Sequence, residues 1–465
     1  MRTESFINDA LIWETLEKEC APSPERIRDI LAKAAEAKGL DMAETAALLA
    51  PMPAGQEQLL FATALKVKET IYGNRMVLFA PLYVSNECAN RCAYCAFSAS
   101  NRDLVRRSLD PAELEQEVRI LQDMGHKRIL AVYGEHPKWN AEAIAASVTA
   151  MYAVRQRPGA AIRRVNINGA PHDVEGFKTL HAAQIGTFQC FQESYNRACY
   201  ESVHLGGKKR DFLWRLLAMH RAQEAGIDDV GFGVLFGLFD HRFEVLGLLA
   251  HALELEREYG VGPHTVSVPR IEPAQNAPLS ENPPSVITDE VFKRIVAVIR
   301  LAMPYTGMII TTREKPGLKG ELLRLGISQL SAASRTYPGG YAENAANRPA
   351  AQQFWVGDER SLAQVIQDLV ADGFIPSFCT GCYRLGRTGD HFMGLAKTAF
   401  IKEFCLPNAI TSFAEYLADY APGELRRSGG AAIAAQVAAI DNLEQRNVLH
   451  GRLRQIADGQ RDMFC

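Results

Sequence analysis

Cys88, Cys92 and Cys95 place three thiols within eight residues, just after the extended run Met76–Val84. A loop with this spacing can turn all three inward, and thiolates are the preferred ligands of iron–sulfur clusters. A cubane held by three thiolates keeps one iron open for another ligand. Tyr94 and Phe97 could wall such a cluster from water. Two other readings compete. A structural zinc ion wants four ligands, yet the first histidine of the chain is His126, so no fourth ligand is local. A disulfide with a spare thiol needs an oxidising compartment.

A second triplet follows late in the chain, Cys379, Cys382 and Cys405. His391 lies between its last two members, so spacing alone leaves zinc open beside a second iron–sulfur cluster. Cys20, Cys190, Cys199 and Cys465 form no motif.

The elements that must position these thiols are legible as an alternation. Strand-like runs at Val77–Val84, Arg128–Tyr133, Ile162–Asn168, Gly186–Phe191, Val230–Phe236, His264–Val268, Gly307–Thr311 and Ile327–Ser331 are separated by seven amphipathic helical stretches. Eight strands with seven helices fit an α/β fold of the (β/α)8 TIM-barrel type over residues 76–372. A doubly wound sheet is the alternative, but no glycine-rich dinucleotide fingerprint follows the first strand. Residues 1–75 read as a helical N-terminal extension, with Ser23-Pro24-Glu25 as a helix start. Residues 373–465 read as a helical C-terminal iron–sulfur domain, and the alanine-rich stretch Gly430–Ile440 is expected to pack closely. Parallel barrels carry chemistry at the carboxyl ends of their strands. The first cysteine loop, Gly134-Glu135, Asn166, Asn168, Glu193, His264, Arg270, Thr311 and Arg313 are expected at strand ends, most at one mouth.

The chain has 465 residues, 47% apolar and 23% charged, as in an ordinary globular enzyme. A net charge of −3 argues against a general nucleic-acid binder. Lys208-Lys209-Arg210 is the one basic cluster and reads as a solvated loop. No apolar run reaches the roughly 18 residues that span a bilayer, and the N-terminus lacks the apolar core of a signal peptide. A cytoplasmic protein without membrane association is expected, with its thiols reduced.

The Cys-x3-Cys-x2-Cys arrangement, with an aromatic before the third cysteine, resembles the signature of the radical S-adenosylmethionine (radical SAM) enzymes. The string Ser377-Phe-Cys379-Thr-Gly-Cys382-Tyr-Arg-Leu-Gly-Arg-Thr-Gly389, with Cys405 and Pro407-Asn408, is similar to the second cluster region of the radical SAM tyrosine lyases of [FeFe]-hydrogenase maturation. Phe191–Tyr195, Val230–Gly237, Gly262–Arg270, Pro304–Gly307 and Gly326–Ser331 carry the similarity through the barrel. The chain departs from that family at Gly381 (alanine there), Thr311 (serine), Ser194-Tyr195-Asn196 (Thr-Tyr-His) and His204-Leu-Gly-Gly (His-Pro-x-Gly). No cluster ligand is lost.

The resemblance implies that Cys88, Cys92 and Cys95 hold a [4Fe-4S] cluster with S-adenosylmethionine on its fourth iron. Gly134 and Glu135 would contact the cofactor, and Asn166, Glu193 and Arg215 are further candidate contacts. L-tyrosine would be cleaved at Cα–Cβ to p-cresol and dehydroglycine. The latter would yield carbon monoxide and cyanide at an auxiliary [4Fe-4S] or [5Fe-5S] cluster on Cys379, Cys382 and Cys405, its fifth iron bound by His264. The product would be an Fe(CO)2(CN) synthon for the hydrogenase H-cluster. Implied partners are a low-potential donor such as ferredoxin or flavodoxin, and hydrogenase maturation proteins. The alternatives are a two-cluster lyase of another aromatic amino acid or pathway, such as a 2-iminoacetate synthase, and a non-catalytic iron–sulfur scaffold.

Residue chemistry bears on these roles separately. Arg313 with Thr311 offers a bidentate cation and a hydroxyl for a substrate carboxylate, or Arg313 forms a buried ion pair with Glu314 or another acid. His264 is an iron ligand or a capped strand-end histidine. Glu135 is a cofactor contact or a structural acid, and Glu193 and Arg215 are contacts or surface charges.

Overall fold

Eight apolar runs pair in parallel in chain order and close on themselves. They are β1 (Arg75–Ser85), β2 (Arg128–Tyr133), β3 (Arg164–Asn168), β4 (Phe188–Gln189), β5 (Val230–Gly233), β6 (Thr265–Ser267), β7 (Gly307–Ile310) and β8 (Gln329–Ser331). β1 closes the barrel, with Val77–Phe79 against β8 and Ala80–Ser85 against β2. The computed structural model describes residues 4–156, 159–343 and 351–464; Cys465 lies outside them. β1 is longer than its apolar run and β2 matches its own, while the other six strands are shorter, β3 and β8 starting two residues late and β4 spanning only two residues.

The helices between the strands start where the sequence supplies caps. Pro111–Met124 opens on a capping box: Glu113 N–H donates to Asp110 Oδ1 (2.8 Å), and Asp110 N–H to Glu113 Oε2 (2.9 Å). It ends at Gly125, whose φ of 98° favours glycine. Ser23 caps Pro24–Ala34 through the Arg26 N–H (3.2 Å). That helix and Ala54–Tyr72 belong to the N-terminal helical layer, which packs on the barrel helices His241–Tyr259 and Asp289–Ala302.

A ninth strand, β9 (Ile375–Ser377), has no counterpart in the sequence reading. It adds in parallel to the start of β1, pairing Arg75 with Ile375 and Val77 with Ser377. A three-residue run with a central proline gives no strand signal, and Pro376 is tolerated because β9 pairs on one side only. β1 therefore runs from β9 at one mouth to the first cysteine loop at the other. Arg75 and Tyr83 on it stand about 26 Å apart at roughly 3.3 Å per residue.

Three further helices, Lys402–Asp419, Gly423–Ala438 and Leu443–Ala457, follow. Pro407 removes an N–H that would have bonded to the carbonyl of Glu403, and the Gln445 amide takes that carbonyl instead (3.0 Å). The alanine-rich stretch does not pack as expected. Only one stripe of it, with Ile433 and Val437, is buried, and its alanines mostly face solvent.

Candidate active site

At the carboxyl ends of the strands, Cys88, Cys92 and Cys95 border a cavity of about 170 Å³. Gly134, Glu135, Glu193, Arg215, Thr311 and Arg313 line the same space. The cysteine loop docks on the end of β2: Ala89 N–H donates to Glu135 O (2.9 Å) and Gly134 N–H to Ser85 O (2.9 Å). A Cβ at Gly134 would sit 2.1 Å from Glu87 O, so no side chain fits there.

Beside the thiols stands a buried charge network. Glu135 bonds to Arg215 (2.7 Å) and accepts from the Asn90 amide (2.8 Å). Glu193, at a left-handed φ of 70°, pairs with Lys209 (2.7 Å). Burial opposes the Glu135 carboxylate, yet Arg215, Lys209 and Asn90 together hold its pKa below the ordinary value. Glu135, Glu193 and Arg215 are thus neither capping nor surface charges. Lys209 corrects the solvated-loop reading of 208–210, since its ammonium lies inside. Tyr94 Oη reaches His204 Nε2 (2.8 Å), and His204 Nδ1 faces Tyr200 O (2.8 Å). Burial keeps His204 neutral, so Nδ1 donates and Nε2 accepts from the tyrosine.

Arg313 lies over the Phe354 ring, its guanidinium carbon 3.4 Å from the centroid. Glu314, the alternative partner named by sequence, is taken by Arg270 (Nε–Oε1 3.0 Å). Among the described residues no carboxylate lies within ion-pair distance of Arg313. The Thr311 hydroxyl accepts from the Arg313 backbone N–H (3.4 Å) and lines the cavity beside it. Glu272, Tyr83 and Gln353, which no spacing flagged, complete the lining.

Asn166 is not brought into this set. It sits inside β3, accepting from Arg164 Nε and the Thr187 N–H (3.0 Å each). Asn168, one turn of the pleat later, lines the cavity instead.

His264 is also absent from this mouth. It precedes β6 and faces the opposite one, bordering a cavity of about 50 Å³ with Cys379, Cys382 and Cys405. Its Nε2 is 2.7 Å from Tyr383 Oη, and its Nδ1 is 3.9 Å from Asp229. Burial lowers its pKa to about 4, leaving a neutral imidazole suited to ligating a metal. His391 is exposed on the helix Gly389–Lys397 and does not line this cavity, so it is not the fourth zinc ligand that spacing allowed.

The donor sets fit metal clusters. All nine described cysteines are unbridged, which removes the disulfide reading for them. Among the described residues no three His, Cys, Asp or Glu side chains converge on a point fit for a single ion; each triplet instead borders a space. Burial pushes the Cys88 thiol to about 11, and Cys92 and Cys379 to about 12. Thiolates in such surroundings need a bound cation to compensate them. At the second triplet the buried Arg75 feels the three thiols, its Nε lacking a hydrogen-bond partner, as does that of Arg128. Among the described residues neither cation has a carboxylate within ion-pair distance, since the nearby Asp229 pairs with Arg164, and this suits an anionic guest.

Comparison with known proteins places this geometry. Residues 82–249 match the radical SAM superfamily and 267–375 the biotin and thiamin synthesis associated domain. The 2-iminoacetate synthase of Escherichia coli is 33% identical over 358 residues, 76% of this chain and 91% of that one. These features define a radical SAM enzyme with lyase-type relatives, for which a [4Fe-4S] cluster and S-adenosylmethionine are implied. A crystal structure of HydG, a maturase of the [FeFe]-hydrogenase, superposes with a TM-score of 0.95 at 45% identity, covering 99% of this chain and 100% of that one. HydG from Carboxydothermus hydrogenoformans gives 0.82 and 41%, covering 96% and 98%. The chain belongs to the HydG family.

Proposed function

We propose that the chain is a two-cluster tyrosine lyase. It cleaves L-tyrosine at Cα–Cβ to p-cresol and dehydroglycine, and the latter yields carbon monoxide and cyanide for an Fe(CO)2(CN) synthon of hydrogenase assembly. The observation that carries this reading is the second thiol triplet with His264 at the far mouth of the same barrel. That centre is needed only if the carbon–carbon cleavage product is processed further.

When bound, the first cluster and S-adenosylmethionine supply a 5′-deoxyadenosyl radical. The residues of the chain orient and shield. Cys88, Cys92 and Cys95 would hold the cluster, and Gly134, Glu135, Glu193 and Arg215 the cofactor. Arg313 and Thr311 would fix the tyrosine carboxylate, and the barrel wall excludes water and keeps the reacting atoms in contact. Cys379, Cys382 and Cys405 would hold the auxiliary cluster, and His264 its fifth iron. A second reading, in which the reaction ends at dehydroglycine, is favoured by the 2-iminoacetate synthase relative.

Anaerobic reconstitution with reductant, cofactor and tyrosine tests the proposal. 5′-Deoxyadenosine, p-cresol and carbon monoxide are expected, and Cys379→Ala should abolish carbon monoxide while sparing cofactor cleavage. p-Cresol without carbon monoxide in the wild type supports the second reading. Deoxyadenosine without p-cresol indicates another substrate, and neither product indicates a scaffold.

A further inference from the structure

The tripeptide Lys208-Lys209-Arg210 divides its charge. Lys209 turns inward onto Glu193, while Lys208 and Arg210 stay on the surface. Their segment is tied to the first cysteine loop. Arg91 N–H donates to Gly206 O (2.9 Å) and Leu205 N–H to Arg91 O (2.8 Å). Gly207 lies so near Asn90 that an added Cβ would be 2.2 Å from Asn90 Oδ1. The exposed Arg91, adjacent in sequence to Cys92, lies against Gly206.

The outcome is a small surface directly over the first thiol triplet. Leu205 is 57% exposed there, accompanied by the exposed cations Arg91, Lys208 and Arg210. Among the described residues none of the three has a carboxylate partner, whereas neighbouring Arg197 is neutralised by Glu201 (3.0 Å). Lys208 also stacks over the Trp214 ring (4.0 Å), which brings no countercharge, so three cations without a carboxylate stand out on a chain whose net charge is −3.

We propose that this face, formed by Arg91, Leu205, Lys208 and Arg210, is the docking surface for an acidic one-electron carrier protein. Charge complementarity selects an acidic partner, and the backbone of Cys92 leads inward from the patch to the thiol. In the transfer the reduced carrier loses one electron and the cluster on Cys88, Cys92 and Cys95 gains it, with no bond made or broken. A patch of four side chains suits the small, transient interfaces of electron-transfer partners, and steering by charge raises encounter rates with a steep salt dependence. The inference rests on the first cluster alone and not on the identity of the substrate.

The test follows cluster reduction in the reconstituted holoenzyme by stopped flow. Two donors are compared: reduced flavodoxin, which must dock, and reduced methyl viologen, which need not. In R91E/K208E/R210E, reduction by flavodoxin at low ionic strength should fall by about tenfold or more, with its salt dependence lost or inverted. Reduction by viologen should stay unchanged. The charge-neutral R91Q/K208Q/R210Q should fall between wild type and reversal. Equal slowing with both donors would overturn the proposal, since the patch would then only support the cluster loop. An unchanged flavodoxin rate would overturn it too, as would a patch whose reversal affects only nucleic-acid binding. Because no tyrosine is present, failure of the lyase reading leaves this result independent.

Discussion

Gln353 and Cys95 meet at the first cavity, the amide Nε2 lying 3.7 Å from the thiol sulfur. Tyr83 donates its hydroxyl to Gln353 Oε1 (2.7 Å), which orients the amide so that its NH2 and not its carbonyl faces the sulfur. The next residue, Phe354, lies beneath Arg313. One short segment thus touches both a thiol proposed to hold the first cluster and the cation proposed to hold the substrate carboxylate.

A hydrogen bond to a cluster sulfur stabilises the more negative, reduced state and raises the potential. Gln353→Leu should lower the midpoint potential of the first cluster. At a fixed poise the ratio of reduced to oxidised cluster should fall about fivefold, the equivalent of one net hydrogen bond. Redox titration followed by electron paramagnetic resonance reads this directly, and an unshifted midpoint would show that the amide leaves the cluster untouched.

Among the described residues Arg313 has no carboxylate partner, which leaves its guanidinium fork open for the proposed substrate carboxylate. Arg313→Lys keeps the charge and loses the bidentate geometry. The KM for tyrosine should rise by about 10- to 100-fold, as expected for one charge-assisted hydrogen bond. Uncoupled 5′-deoxyadenosine should continue to form. Parallel assays of p-cresol and deoxyadenosine separate the two effects.

Glu244 is buried between the Ser194 hydroxyl and the Tyr195 N–H (2.7 Å). Burial, outweighing these bonds, lifts its pKa to about 8. The folded state thus keeps a proton that the unfolded chain releases near pH 4.5. Its stability contribution is complete below that value and is lost as pH rises toward 8, at about 1.4 kcal/mol per pH unit. Relative to Glu244→Gln, the wild-type Tm should decline between pH 5 and 8. Parallel thermal denaturation curves without this divergence would refute the assignment.

Gly134→Ala places a methyl group against the Glu87 carbonyl, where only 2.1 Å is available. The cysteine loop must shift, because its backbone bonds to Ser85 and Glu135 hold it there. The first cluster should load poorly while the second remains. Iron content of about half the wild-type value would report that outcome, and full loading would contradict it.

Much of this protein was legible in its sequence, because the signals are local. The spacing of Cys88, Cys92 and Cys95 lies within one loop, and the alternation of apolar runs with capped helices needs no long-range information. The barrel and the two thiol triplets that border its cavities follow from patterns a few residues long. Tertiary structure alone decided what distant residues do to one another. His264 opens its run and so lies at the amino-terminal mouth; that Cys379 meets it there was decided by β9 adding to the start of β1. Closure of the barrel drew Lys209 inward onto Glu193 and paired Glu314 with Arg270, 44 positions away, so that among the described residues Arg313 has no carboxylate partner. Asn166 became a brace inside β3, and Gln353 arrived at Cys95 across 258 positions of chain. Local spacing carries no information about such pairs, because burial and charge compensation are settled only when the whole sheet has closed.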